Sequence, residues 1–386
     1  MNEVKNNDVL GNRKHIEQSY LNRKDNQMKR MKQTVTAVLA GASAAFLTTT
    51  PAQSETINLT LAASHSPNLP FVGQMSQHFK PEVDRRLKEA NSDIKINWTE
   101  AYGGSLYTFQ YTLESVEENL TDIGWVGTLW EASKMPLQQI SFVTPFVVDD
   151  VRVVIDTMNK LHDEMPPLRA EWDKYNQVFL GATGIGTYHS YTTFPFTTID
   201  DLKGKKINGA GLVGSWLKGT GGIPVDGGIP VFYENVKNRI VDGVLLTGQT
   251  AYSIKLHEVA PNVTKIAIGA QYVGGLSINK TVWDGFPPEL QKIMMEVGRE
   301  YSTRVGADTV ARDDVALEKM AAEGANVTTL SDAERDRWTA LLPNLPQEWI
   351  EGAERSGSGE AATMMLDRYL SELKDRGQVA ARDWSK

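Results

Sequence analysis

The chain contains no cysteine, and only six of its 386 residues are histidine. The absence of cysteine excludes cysteine-ligated metal sites and thiol nucleophiles. The histidines form no H-E-x-x-H motif and show no metal-ligand spacing with carboxylates, and neither a G-x-S-x-G motif nor a phosphate-binding loop occurs. The sequence therefore predicts no catalytic site, no metal site and no cofactor, and favours a protein that is not an enzyme.

Basic charge and long apolar runs are also scarce. Acidic residues outnumber basic ones by 48 to 40, which gives a formal net charge of −8 at pH 7. Nucleic-acid binding rewards clustered basic charge, so this balance excludes nucleic acid as a partner. No apolar run is long enough to span a bilayer comfortably. An acidic surface suits a freely diffusing exported protein.

The N-terminal region has the order of charge and hydrophobicity that is typical of a signal peptide. Basic residues at positions 29–32 precede the apolar run Val35–Leu47, and small residues follow at positions 52–54. We expect cleavage near Ser54 and export to the periplasm, with a membrane anchor retained at the N-terminus as the alternative. Residues 1–27 are polar and lack apolar periodicity, which predicts either an extension upstream of the signal peptide or a wrongly assigned start of the chain.

Beyond this region, apolar periodicity predicts alternating strands and helices. The pattern begins with a strand at Thr56–Ala63 and a helix at Phe71–Leu87, restarts at Val178–Thr183, and includes one long helix at Pro288–Ala322. Such alternation predicts α/β sheets with crossover connections. The other predicted elements are strands at Ile94–Trp98, Ile123–Val126, Tyr188–Thr193, Thr264–Ile268 and Leu276–Asn279, an extended segment at Phe142–Phe146, and helices at Leu113–Leu120, Asp149–Lys174 with a break at Pro166-Pro167, Tyr233–Arg239, Tyr252–His257, Ser331–Leu342 and Glu360–Leu373.

The fold class predicted from this pattern is a two-lobed α/β clamshell with crossing strands and a long helix that spans both lobes. Hinges are expected near Gly184–Gly186 and Gln271–Gly275, where the chain passes between the lobes. The predicted divisions are a leader and signal peptide at 1–54, lobe I at 55–184 plus 271–300, lobe II at 185–270 plus 301–352, and a C-terminal helix at 353–386.

The segment from Asp200 to Gly214 is the most informative motif. It combines an Asp-Leu-Lys-Gly turn at 201–204, a short strand around 206–207 and a glycine-containing loop. It resembles the hallmark segment of the solute-binding subunits of TRAP transporters, the tripartite ATP-independent periplasmic transporters, which form the DctP-type receptor family. Where that family places the arginine that grips a ligand carboxylate, this chain has Asn208.

Four further motifs extend the resemblance over most of the chain. They are Tyr102-Gly103-Gly104-Ser105-Leu106, Thr121-Asp122-Ile123-Gly124-Trp125, the helix that ends in Val241-Asp242-Gly243, and Val282-Trp283-Asp284 followed by Phe286-Pro287-Pro288. The resemblance implies the periplasmic-binding-protein fold and capture of a small-molecule solute between the lobes. It also implies delivery of that solute to the small and large integral membrane subunits of the transporter, by a receptor that we expect to be a monomer without a cofactor.

The same resemblance directs the choice of ligand-binding residues. Asn208 stands at the family's anchor position, and Tyr188 or His189 stands where many members place a second arginine. His65 follows the first strand, where the ends of sheet strands form a crevice. Aromatic residues near the expected pocket loops complete the set, because pockets are commonly aromatic. The predicted ligand-binding residues are Asn208, Tyr188, His65, Tyr102, Trp125, Trp216 and Tyr272.

The replacement of the anchor arginine leaves three ligand classes open, because Asn208 is neutral and cannot supply the two charge-assisted hydrogen bonds of a guanidinium. The solute is an organic acid, such as a dicarboxylate, held by a Lys, a His or an Arg from elsewhere. Alternatively it is neutral and hydroxylated, or it is a small amine held by aromatic faces and a carboxylate.

A second function is suggested by Gly209, Gly211 and Gly214, which form the dinucleotide-binding fingerprint G-x-G-x-x-G. Glu234 lies at the distance expected for the ribose contact. The alternative is therefore an exported NAD(P)-dependent dehydrogenase. The preceding strand is short, however, and a loop that needs the conformational freedom of glycine explains the pattern equally.

Overall fold

A computed structural model describes residues 56–386. The predicted signal peptide, its cleavage near Ser54 and the upstream extension lie outside the described residues. Within residues 56–386, no helix is both long enough and apolar enough to cross a membrane.

Strands alternate with helices from the first described residue, as the periodicity predicts. The strands are β1 (Thr56–Ala62), β2 (Lys95–Ala101), β3 (Ile123–Val126), β4 (Gln177–Ile185), β5 (Tyr188–Thr192), β6 (Lys206–Gly209), β7 (Ile223–Asp226), β8 (Gly243–Thr247), β9 (Asn262–Lys265), β10 (Gln271–Asn279) and β11 (Asn326–Thr329). They form two sheets, which are the cores of the two lobes of the clamshell.

The first sheet has the strand order β2-β1-β3-β10-β4, and the second has the order β11-β9-β5-β8-β6-β7. In the first sheet β1 is parallel to β2 and β3, whereas β10 is antiparallel to β3 and β4. In the second sheet β6 is parallel to β7 and β8, and β5 is antiparallel to β8 and β9. Each sheet thus has parallel strands whose carboxyl ends meet at one edge, where ligand crevices form in α/β proteins.

Helices cover the two sheets. They are α1 (Pro70–Gln74), α2 (Lys80–Glu89), α3 (Thr112–Glu117), α4 (Ile140–Val143), α5 (Val151–Glu164), α6 (Pro166–Lys174), α7 (Ile229–Lys237), α8 (Gly248–Ser253), α9 (Lys280–Asp284), α10 (Pro288–Ala322), α11 (Asp332–Leu341), α12 (Leu345–Arg355) and α13 (Gly359–Asp375). A π-helical turn at Met75–Phe79 joins α1 to α2. The predicted break at Pro166-Pro167 is confirmed, since α5 ends at Glu164 and α6 begins at Pro166.

The chain passes directly between the sheets twice. Strand β4 ends at Ile185 in the first sheet and β5 begins at Tyr188 in the second, so residues 186–187 connect them. The chain returns through residues 266–270, between β9 and β10. The second connection therefore lies just before the predicted hinge segment Gln271–Gly275, which belongs to β10 and pairs with β4.

Helix α10 has the predicted bounds and contacts both lobes. On the side of the first sheet, the Gly298 carbonyl lies so near Gly181 that an added Cβ atom would be 2.2 Å from it. Toward the other end, the Asp313 carboxylate accepts a hydrogen bond from the Gln249 N–H at the start of α8. The helix thus spans both lobes, as the predicted fold class requires.

Several local predictions differ from the structure. Residues Phe142–Phe146 were expected to be extended, but Ile140–Val143 forms the short buried helix α4. Short apolar runs have no periodicity that distinguishes a buried helix from a buried strand. The strands β7, β8 and β11 and the helices α9 and α12 are additional to the predicted elements.

Candidate ligand-binding site

A small cavity lies where the edges of the two sheets meet. Its volume is about 30 Å³. We call it the aromatic cavity. It is lined by His65, Phe71, Trp125, Leu129, Trp130, Ile185, Tyr188, Ala210, Ile229, Phe232, Leu245, Leu246, Thr250 and Val273.

On the side of the first sheet, the cavity wall forms where β1 and β3 end. His65 follows β1, Trp125 belongs to β3, and Trp130 ends the 3₁₀ turn that begins at Thr128. Val273 of β10 joins them because β10 approaches β3 very closely at Gly274. Gly274 has a φ of +131°, and an added Cβ would lie 1.9 Å from a β3 carbonyl oxygen, so only glycine fits there.

The second sheet supplies the opposite wall of the cavity, again with residues that lie in its strands or directly follow them. Tyr188 begins β5, Leu245 and Leu246 lie in β8, and Ala210 follows β6. Phe232 reaches the cavity from α7. Side chains from both lobes therefore line one space.

Aromatic rings dominate the wall on the first-sheet side. The rings of His65 and Trp130 stack with centroids 5.8 Å apart and an interplanar angle of 13°. Trp125 meets His65 edge to face at 5.2 Å and stacks on Phe71 at 4.4 Å. Such ring pairs stabilise the fold by more than their buried area alone accounts for, and the rings hold each other in fixed orientations.

Two ring nitrogens of these side chains are buried and have no hydrogen-bond partner among the described residues: Nε2 of His65 and Nε1 of Trp130. The other nitrogen of His65, Nδ1, lies 2.9 Å from the Ser64 hydroxyl oxygen. Burial lowers the pKa of His65 to about 4, so the imidazole is neutral at pH 7. Unpaired buried polar groups are costly, which makes both nitrogens candidate contacts for a solute.

The aromatic cavity carries no formal charge. None of the described side chains that line it is an Arg, Lys, Asp or Glu. The hydroxyl of Thr250 is already hydrogen-bonded to that of Thr247 at 2.9 Å. Burial raises the pKa of Tyr188, so that phenol also stays neutral. Across residues 56–386, no cluster of His, Asp and Glu side chains is arranged to hold a metal ion.

Of the seven predicted site residues, the structure brings three together around this cavity: His65, Trp125 and Tyr188. Trp216 lies directly behind Tyr188, with its ring edge-on at 5.0 Å. Its indole N–H donates to the Phe142 carbonyl, and the side chain is fully buried. Trp216 therefore holds Tyr188 in place and lies outside the cavity lining.

Asn208, predicted to be the anchor, also lies outside the cavity lining. It is fully buried in β6. Its Nδ2 donates to the Val225 carbonyl at 2.9 Å, and its Oδ1 accepts from Asn235 Nδ2 at 2.9 Å. These contacts join β6 to β7 and α7, so the expected orientation of the amide into the cleft is corrected.

Tyr102 and Tyr272 are likewise placed elsewhere. Tyr102 follows β2 and packs on the outer part of the first-sheet core. Tyr272 is buried, and its hydroxyl donates to Gln138 Oε1 at 2.8 Å. Because side chains alternate along a strand, the neighbour Val273 faces the cavity instead.

The sequence interpretation missed most of the second-sheet wall. Leu245 and Leu246 belong to β8, a strand that was not predicted although all five of its residues are buried. The apolar run Val244–Leu246 between Gly243 and Thr247 was the available signal. Ala210 and Ile229 had no distinguishing signal, because single apolar residues occur throughout the chain.

The glycine fingerprint has a packing role. Gly211 has a φ of +56°, and an added Cβ would lie 2.4 Å from the Leu129 carbonyl oxygen of the opposite lobe. An added Cβ at Gly214 would lie 3.0 Å from Pro224. Moreover, Gly211–Leu217 is a 3₁₀ helix, so no α-helix N-terminus follows β6 to receive a pyrophosphate. The dehydrogenase alternative therefore finds no support.

Two α/β lobes joined by crossing strands, with a cavity lined from both, define a solute-binding protein of the clamshell class. Comparison with known proteins gives the family. Residues 25–352 match the family model described as bacterial extracellular solute-binding protein, family 7, or DctP. The chain belongs to this family, and the resemblance to TRAP solute-binding subunits that the motifs predicted is confirmed.

Among relatives, a solute-binding protein of Sulfitobacter sp. strain NAS-14.1 is 26% identical over 321 residues, which cover 80% of this chain and 91% of the relative. The C4-dicarboxylate-binding periplasmic protein DctP of Shewanella loihica is 24% identical over 335 residues, or 85% and 93% of the two chains. Among solved structures, a TRAP solute-binding protein of Rhodoferax ferrireducens in complex with copurified benzoate has a TM-score of 0.72 and 19% identity, and covers 83% of this chain and 98% of its own.

Proposed function

We propose that this protein is the periplasmic receptor of a TRAP transporter and that it captures one small organic solute in the aromatic cavity. It then delivers the solute unchanged to the small and large integral membrane subunits, and acts as a monomer without chemistry of its own. The observation that carries the proposal is the cavity itself, since its walls come from the ends of both sheets.

The proposed lobes are residues 55–184 with 271–300 and residues 185–270 with 301–352, followed by a C-terminal segment from 353. Sheet membership supports this division, because β1–β4 and β10 form one sheet and β5–β9 form the other with β11. A cavity of about 30 Å³ holds only about two water molecules. The lobes therefore separate to admit a solute and close around it, turning about residues 186–187 and 266–270.

Two of the similar proteins are associated with anions: the Shewanella protein is named for C4-dicarboxylates and the Rhodoferax protein was solved in complex with benzoate. An aromatic wall suits the ring of an aromatic solute. At the positions that the family resemblance assigns to arginines, however, this chain has Asn208 and either Tyr188 or His189, all of them neutral at pH 7, and only Tyr188 lines the cavity. An organic acid is thus the family default, whereas the uncharged cavity wall of this chain favours another ligand class.

Native mass spectrometry of the purified mature protein tests the proposal directly, since the similar Rhodoferax protein was solved with a copurified ligand. We expect one small molecule per chain, released by unfolding. A thermal-melting screen of organic acids, amides, amines and polyols provides the independent measurement, because a ligand that binds only the native state raises the melting temperature. Substitution of Ala210 by Trp, which fills the cavity, should abolish the response.

Two outcomes would contradict the proposal. One is saturable stabilisation by NAD or NADP. The other is a solute response that survives unchanged in Ala210→Trp, which would place the binding site elsewhere. Small-angle scattering with and without the solute checks the lobe movement, and an identical radius of gyration in both states would show fixed lobes.

A further inference from the structure

The uncharged wall of the aromatic cavity and its unpaired polar atoms restrict the chemistry of the solute, provided that the solute binds there as proposed above. The first restriction concerns anions. No Arg or Lys is among the described residues that line the cavity, and the imidazole of His65 is neutral at pH 7. A carboxylate moved from water into this space would lose its hydration without gaining a counter-charge.

The side chains at the positions expected to supply such a counter-charge make hydrogen bonds within the protein instead. Asn208 is buried and hydrogen-bonded to Val225 and Asn235. His189 is also buried, and its Nδ1 accepts from the backbone N–H groups of Ile266 and Ala267 at 3.2 and 3.4 Å. Neither side chain has a free charge to offer to a solute.

The second restriction concerns cations. Aromatic faces attract cations, and the wall of the cavity contains several aromatic rings. Yet the described lining includes no carboxylate to neutralise an amine, and the indole N–H of Trp130 is a buried donor without an acceptor. A quaternary or primary ammonium group has no acceptor to offer, so that N–H would stay unpaired.

The remaining chemistry satisfies both unpaired nitrogens. Trp130 Nε1 can only donate, whereas Nε2 of His65 donates or accepts according to which partner carries the proton shared with Ser64. A carbonyl oxygen accepts from Trp130, and an amide or hydroxyl group also matches His65 in either form. We infer that the solute is uncharged, with an aromatic or otherwise apolar body against the rings and one amide, carbonyl or hydroxyl group bonded by Trp130 and His65.

Benzamide, benzoate and benzylamine test this inference because each carries one small polar group on a benzene ring and the three groups differ in charge at pH 7. Calorimetric titration of the mature protein should give saturable binding of benzamide. Benzoate and benzylamine should bind about 100-fold more weakly or worse, since each carries an uncompensated charge into the cavity. Tighter binding of either charged compound overturns the inference and leaves the receptor function standing. Failure of all three, together with the whole solute screen, contradicts the receptor site itself.

Two substitutions test the roles of the polar atoms. Trp130→Phe keeps an aromatic ring and removes the N–H, so benzamide affinity should fall about 5- to 20-fold. Toluene, which lacks an acceptor, should bind wild type and variant alike. The matched control is Trp349→Phe, because Trp349 lies on α12 outside the cavity and donates to the Pro136 carbonyl. Equal loss in both variants, or an equal loss for toluene, would contradict the assigned hydrogen bond.

A charge insertion provides the opposite test. Ile229 is half-buried at the start of α7 and lines the cavity, so a lysine placed there reaches the solute while its stem stays packed. Ile229→Lys should raise benzoate affinity about tenfold or more and lower that of benzylamine. Unchanged benzoate binding in a folded variant would show that charge does not govern selection at this site.

Discussion

Asp313 and Gly186 lie in direct contact at the connection between the two sheets. A Cβ atom added to Gly186 would be 1.5 Å from the Oδ2 atom of Asp313. Oδ1 of the same carboxylate accepts the Gln249 N–H at 2.6 Å. Helix α10, the first interlobe connection and the start of α8 therefore meet at one carboxyl group, and the missing side chain at position 186 makes room for it.

Gly186→Ala should lower the free energy of unfolding by about 1–3 kcal/mol, because the added methyl group overlaps the carboxylate and forces it from its hydrogen bond. Urea denaturation measures the change. The control is Gly352→Ala in α12, where the nearest atom to an added Cβ is 3.7 Å away. This control should be neutral or stabilising. When Asp313 is also replaced by Ala, the loss in free energy of unfolding caused by Gly186→Ala should be smaller. If the losses of the two single variants simply add in the double variant, the overlap is contradicted.

Asp313 should also make stability depend on pH. Burial raises the pKa of its carboxyl group to about 6, although the hydrogen bond from Gln249 acts in the opposite direction. The folded state thus holds this proton more tightly than the unfolded state. The resulting stabilisation is complete below about pH 4 and is lost as the pH rises through 6.

Asp313→Asn removes this titration. Relative to wild type, the variant should gain about 1–3 kcal/mol in the free energy of unfolding between pH 4 and pH 7. Denaturation at a series of pH values provides the measurement, with Glu318→Gln on the exposed side of α10 as the control. Parallel curves for wild type and Asp313→Asn would show that the carboxyl titrates normally.

Asn208 is expected to act on stability instead of selectivity. Asn208→Ala removes the bond to Val225 and leaves Asn235 Nδ2 without its acceptor, so the free energy of unfolding should fall by about 1–3 kcal/mol. Asn238→Ala, an exposed change at the C-terminal end of α7, should cost far less. Solute affinity, measured by calorimetry on folded protein, should stay within a factor of about 2. A larger loss of affinity would restore Asn208 as a ligand contact.

The C-terminal tail should contribute strongly to stability. After α13 the chain returns to pack near Pro145. There the fully buried Trp384 donates its indole N–H to the Pro145 carbonyl at 2.8 Å. Trp384→Ala should therefore cost about 3–5 kcal/mol, measured by urea denaturation. Val379→Ala in the same tail is the control, since Val379 is 88% exposed and should tolerate the change. Similar losses in both variants would indicate a general effect of altering the tail.

Sequence periodicity predicted the helices and strands that bury only one face, and also those whose ends are marked by residues such as proline. Pro288 marks the start of α10, and Pro166-Pro167 separates α5 from α6. It did not predict β8, where every residue is buried and no alternation remains, or α4, where four buried residues have no clear period.

The candidate site was predicted in part for a similar reason. His65 and Tyr188 lie at strand ends, which a strand prediction locates to within a residue or two. Whether a side chain faces the cavity depends on register, and a shift of one residue reverses the answer. Tyr272 illustrates this, because its neighbour Val273 lines the cavity while Tyr272 faces the core. Asn208 was placed by family resemblance, which gives a position in the chain but not the partners that its amide finds.

The perpendicular pair Trp125 and Trp130, 6.1 Å apart, has an optical consequence. The two indoles line the cavity, whereas the other tryptophans among the nine in the chain do not. Indoles at this separation exchange excitation energy, and a solute in contact with both perturbs their emission and their near-ultraviolet dichroism together. Subtracting the spectrum of a Trp125→Phe variant isolates that signal, so the protein reports its own occupancy without a dye. With no cysteine in the chain, one introduced thiol per lobe would add a distance readout at positions of choice.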